Sequence, residues 1–128
     1  MTDLVPTRPA DPYGRAEALR GEFLEGKKDR PHTLDAYGRD LRLWLDYCRA
    51  RDIDPLDAWA NHVVRWLAEL AIGDPVVGRR PQSGTTRARR LGAVSAWYQW
   101  LVRHQCAPRN PADLIAGERP ARDRKSVV

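Results

Sequence analysis

The sequence predicts an all-α domain of four main helices and a short fifth. Apolar side chains recur at helical spacing in four separate runs, and Pro, Gly or Asp punctuates each gap between them. No run alternates polar with apolar in the manner of a strand. At 128 residues, 42% of them apolar, the chain suits one core and one domain, burying roughly 65 to 70% of its unfolded surface. The expected organisation is a lead-in at 1–10, a helical domain at 11–116 and a linker at 117–128.

The first helix starts with Asp11 as cap and Pro12 in its first turn. It carries Ala16, Leu19, Phe23 and Leu24 on one side and closes at Gly26 with Lys27 and Lys28. In the second, expected over 34–50 with Thr33 as N-cap, Leu34, Tyr37, Leu41, Trp44, Leu45 and Cys48 fall within a sector of about 100°. Its opposite face, with Asp35, Arg39 and Asp46, is wet, and Arg51 to Pro55 end it, with Leu56 tucked under the core. The third spans about 60–71 with Val63, Trp66, Leu67 and Leu70 on one face and Asn61 or Asp57 as cap. Residues 76–84 read as an exposed, mobile loop.

The fourth helix begins at Ser83 or Thr85 and reaches about 104. Its opening turns, Thr85 to Arg90, are polar and basic, whereas Leu91 to Val102 are apolar nearly all round. A helix of that kind has a buried trunk and a projecting tip. Gly92, unfavourable by about 1 kcal/mol in a helix interior, points to a neighbour needing the missing Cβ. Asn110-Pro111 reads as cap and first residue of a fifth helix ending near Ile115. Trp44, Trp59, Trp66, Trp97, Tyr98 and Trp100 read as core rather than as base-stacking surfaces.

Charge is distributed unevenly. Residues 1–74 hold 11 Lys+Arg and 14 Asp+Glu, whereas 75–112 hold seven arginines and no carboxylate. Such a stretch suits a polyanionic partner. Thr85 and Thr86, with the open N–H groups and positive dipole of the helix start, suit phosphate, and Arg89 or Arg90 suits a guanine edge. Arg79 and Arg80 suit backbone contacts. His32, His62 and His104 share no metal-ligand spacing, Cys48 and Cys106 form no C-x-x-C pair, and the nucleotide-cradling and nucleophile-elbow motifs are absent. Neither metal, cofactor nor catalytic residue is therefore expected. No window resembles a membrane span or a secretory signal, so a cytoplasmic location without membrane attachment is the expectation.

The order of these features resembles the N-terminal core-binding domain of tyrosine recombinases of the phage integrase and Xer type, an orthogonal, SAM-like bundle. His32-Thr33-Leu34-Asp35-Ala36-Tyr37-Gly38-Arg39-Asp40-Leu41 is similar to the family's T-x-x-x-Y-x-x-D-L-x-x-F, with Trp44 in the Phe place. Val63 to Leu70 matches V-x-x-Y-L-x-x-L, Ser83 to Tyr98 matches S-x-x-T-I-x-R-x-L-S-A-L-R-x-F-Y, and Asn110-Pro111 matches the closing N-P. The likeness covers about residues 12–116.

This resemblance implies binding of double-stranded DNA during integration or recombination, the second and fourth helices crossing adjacent parts of the major groove. His32, Thr33, Ala36 and Arg39 would face DNA from one helix, and Thr85, Thr86, Arg89 and Arg90 from the other. Arg87, counted with them among the DNA-binding residues, stands where the family has an apolar residue, so the first turn of that helix is expected to splay outward. The family's catalytic Arg, His and Tyr belong to a C-terminal domain with no counterpart here, so this chain is expected to bind DNA and cut nothing, with 117–128 as interdomain linker. A tetramer of protomers on DNA is a further implication. The rival readings are a helical adaptor meeting an acidic protein and a free-standing transcriptional DNA-binding protein.

Overall fold

Proline and side-chain caps set where the helices begin. In the computed structural model, which describes residues 11–113 and 115, the helices are α1 (Pro12–Glu25), α2 (Pro31–Ala50), α3 (Ala60–Ile72) and α4 (Gly84–Arg103). The expected lead-in at 1–10 and linker at 117–128 lie outside the described residues. No helix among these is long and apolar enough to cross a membrane. The domain is all-α.

Asp11 caps α1 as expected, accepting the Tyr13 N–H at 3.0 Å. Thr33 does not cap α2. The helix starts three residues earlier, with Pro31 in its first turn and Arg30 as its cap residue, because the fixed φ and missing N–H of proline suit a first helical position. Neither Asn61 nor Asp57 caps α3 either. Trp59 is its cap residue, and the Trp59 N–H donates to Nδ1 of His62 at 3.0 Å. Ser83 caps α4, its Oγ accepting the Thr86 N–H at 3.1 Å. At the far end, Oδ1 of Asn110 accepts the Ala112 N–H at 2.9 Å, and Asp113 and Ile115 are helical where the fifth helix was expected.

Helix α2 packs against α4 and α1, and α3 against α4. Their stripes meet in one core that includes Phe23, Leu41, Trp44, Trp66, Trp97 and Leu101. The Trp44 Nε1–H donates to the Tyr98 hydroxyl at 2.9 Å, and that hydroxyl donates to the Pro55 carbonyl, so the polar tips of two buried rings are satisfied. Burial pushes the Tyr98 phenol well above its ordinary pKa and raises the Cys48 thiol likewise. Trp59 departs from the expected core set: it is 53% exposed. Its ring lies under the Arg109 guanidinium, 3.4 Å away. Arg109 also donates to the Asp57 and Ala58 carbonyls at 3.2 and 2.9 Å and pairs with the Asp57 carboxylate at 3.1 Å.

The segment between α3 and α4 is exposed, as expected, but its backbone is internally bonded rather than a free loop. Asp74 and Arg79 exchange both N–H···O bonds at 2.8 Å, around a single 3₁₀ turn at Pro75–Val77. The Gln82 N–H donates to the Leu70 carbonyl at 2.9 Å, tying the entry of α4 to the last turn of α3. Gly73 makes this possible. Its φ is +77°, and a Cβ there would lie 2.6 Å from the Pro81 nitrogen and 2.8 Å from the Arg79 carbonyl oxygen. Gly92 is different: nothing lies within 4 Å of a Cβ built on it, so the close neighbour expected there is not found.

Candidate nucleic-acid interface

The first turns of α4 combine three sources of positive potential: open backbone N–H groups, a helix N-terminus without an acidic residue, and Arg87, Arg89 and Arg90. The three arginines are held in different ways. Arg87 does not splay outward; it is half-buried and folds back, its Nε–H donating to the Gln82 carbonyl at 3.2 Å. Arg90 is nearly consumed by the protein: Nε–H bonds Oε1 of Gln82 at 2.8 Å, Nη1–H bonds Oδ1 of Asp40 at 2.5 Å, and its side chain is only 15% exposed. Arg89 donates one N–H to Oδ2 of Asp40 at 2.7 Å and remains 47% exposed.

Asp40 joins the two helices at this point. Its side chain is completely buried, and each carboxylate oxygen receives a different arginine of α4. Thr33, Ala36 and Asp40 are spaced three and four apart and share a side of α2, as do His32, Ala36 and Arg39. The Asp40 bonds therefore bring the tip of α4 beside the third turn of α2. On that side His32 and Arg39 are exposed, while Thr33 and Ala36 are half-buried. On α4, Thr85 is exposed, whereas Thr86 is half-buried and its hydroxyl is engaged by that of Ser83 at 3.1 Å.

Arg79 and Arg80 are exposed on the turn that precedes α4. Arg79 also lines a depression of about 210 Å³ whose wall includes Asp46, Glu69 and Asp74 as well as Arg51, which pairs with Glu69. Across α2 from the arginine cluster, Arg42 hydrogen-bonds both oxygens of Glu17 and Arg20 donates to the Gly38 carbonyl at 2.9 Å, fixing α1 against α2. The Arg42 guanidinium holds the Glu17 carboxyl below the usual carboxylate range, against the opposing effect of burial.

Asp40 and Gln82 are the members of the site that the sequence did not reveal as such. A usable signal exists for Asp40: a carboxylate between the wet face and the apolar stripe of α2, in a protein whose fourth helix brings unpaired arginines. Gln82 carries no comparable mark.

The chain is an all-helical bundle whose fourth helix begins with a basic, acid-free tip. The family model described as phage integrase, N-terminal SAM-like domain, matches residues 21–105, and the chain belongs to that family. A tyrosine recombinase XerC of Pelobacter propionicus is 37% identical over 106 residues, covering 78% of this chain and 32% of that protein. Tyrosine recombinase XerC 1 of Ralstonia nicotianae is 33% identical over 111 residues, covering 84% and 31%. A tyrosine recombinase XerC of Pseudomonas fluorescens is 34% identical over 115 residues, covering 88% and 34%. The chain thus spans about a third of the length of these relatives. No solved structure gives a significant match.

Proposed function

We propose that this chain is the DNA-binding core-binding domain of a site-specific tyrosine recombinase, gripping duplex DNA through the N-terminal parts of α2 and α4. The observation that carries this reading is the basic, carboxylate-free tip of α4 held by Asp40 against α2, on the side where His32 and Arg39 are exposed. In this reading Thr85 and the open N–H groups of α4 take phosphate, as do Arg39 and Arg80, with His32 at the margin. Arg89 reaches a base edge, for which its half-exposed guanidinium is suited. Arg90, Arg87 and Thr86 brace the tip from within, and Thr33 and Ala36 let the duplex approach α2. Arg79 contributes less than Arg80 because of its acidic surroundings.

The domain contributes affinity and sequence preference in the cytoplasm. Strand cleavage belongs to a catalytic domain of the parent protein, which acts as a tetramer on DNA. The names of the relatives support this assignment.

The test is a titration of the chain against a fluorescent 30-bp duplex at several salt concentrations. Saturable binding that weakens steeply with salt is expected, and Arg89→Ala should weaken it by about tenfold or more. Feeble, non-saturating retention would favour a protein-binding adaptor instead.

A further inference from the structure

We propose that Asp40 is a positioning residue for sequence recognition: from inside the protein it aims Arg89 at the duplex, with Arg90 as the fixed side of the clamp. This rests on the DNA-binding reading above and assigns its discrimination to a side chain that no ligand can touch.

The argument begins with what Asp40 costs. A carboxylate with no exposure has lost its water, and a buried ion pair adds less to stability than apolar packing of the same volume often would. Packing α2 against α4 needs no charge at this position, since Leu41, Trp44, Leu91 and Val94 already fill the neighbouring core. The carboxylate's distinctive effect is geometric. Its two oxygens hold adjacent guanidinium groups of α4 at 2.7 and 2.5 Å and relieve their mutual repulsion. Arg90 is immobilised a second time by Gln82. Arg89 is held at one nitrogen only, among the described residues, and its remaining N–H groups are available to a base edge. A long side chain is thereby aimed before the ligand arrives, which reduces the ordering cost of binding and narrows the geometries it accepts.

Charge alone predicts the opposite of positioning when Asp40 is neutralised, and this separates the two. Removing a negative charge beside the tip strengthens attraction for any duplex, whereas loss of aim erases preference for the right one. The experiment selects duplexes from a pool with a randomised centre, using the whole chain. The enriched and unselected duplexes are then titrated with wild type, Asp40→Asn, Arg89→Ala and the double variant. Asp40→Asn is expected to bind unselected duplex more tightly, and to lose about tenfold or more of its preference at the base positions that Arg89→Ala also loses. The double variant should lose no further preference there.

A second variant guards against a misfolded Asp40→Asn. Asp40→Leu combined with Arg90→Met replaces the buried pair with apolar groups, which such sites tolerate, and leaves Arg89 untethered. It is expected to melt cooperatively and to show the same lost preference. Retained preference in either folded variant overturns the proposal, as does equal weakening on both duplexes. Wild type that binds duplex without enriching any motif overturns it while leaving DNA binding intact. Wild type that retains no duplex overturns the DNA-binding reading and the proposal together.

Discussion

Tyr98 stands fully buried between a donor and an acceptor from other parts of the chain, Trp44 and Pro55. Removing its hydroxyl would strand both. Tyr98→Phe should therefore cost about 1 to 3 kcal/mol, read by urea denaturation, with the apolar ring packing unchanged. Glu17 gives a pH-dependent counterpart. Its carboxyl is held below the usual range by hydrogen bonding from Arg42, so it contributes stability above the ordinary glutamate pKa, near about 4.3. That contribution disappears as pH falls through the lowered value of the folded state. Across an acid titration of stability, Glu17→Gln should flatten this portion of the curve and leave the neutral plateau without it. Both residues show how far single positions were legible. Tyr98 was readable as core from helical spacing, but its hydroxyl's partner lies in the turn before α3, beyond the reach of periodicity. Asp40 was hidden for a related reason: it lies about 40° outside the edge of the apolar stripe, and only the arrival of α4 turns that edge into interior.

Helix starts expose a competition between local signals. Thr33 has the chemistry of a cap, yet Pro31 opens α2 three residues sooner than that cap would, because a fixed φ suits the first turn and the hydroxyl then becomes an ordinary helical side chain. At α4 the signals agree, and Ser83 caps it. The trunk of α4 was readable from its all-round apolarity, but the reason for Gly92 was not. With nothing near its absent Cβ, that glycine is a weak point in the longest stretch of buried helix. Gly92→Ala should raise stability by about 1 kcal/mol, visible as an increase in Tm. Destabilisation would mean that the backbone of α4 comes closer to a neighbour than the open space implies.

Across the whole molecule, the seven arginines of residues 75–112 overstate what a polyanion meets. Asp40 offsets one of the two arginines it holds, Arg90 is turned inward, and Arg79 faces acids. The sequence alone suggests neutralisation of about 5 to 7 phosphates and a slope near −5 for log K against log salt. The folded arrangement lowers this to about four contacts and a slope near −4, measurable in the duplex titration. The fold class and four helices were legible because periodicity is a local property. Which arginines remain free depends on tertiary pairing, which a charge count cannot supply.

The stack of Arg109 on Trp59 has a mechanical consequence. The backbone beyond Arg109 is moored, through that guanidinium, to the Asp57 and Ala58 carbonyls beside the start of α3. Tension applied to the chain past Pro111 meets two anchorages, the Asn110 amide on the carbonyl and hydroxyl of Ser95 in α4 and then Arg109 on the carbonyls beside α3, so the load is divided between the two helices.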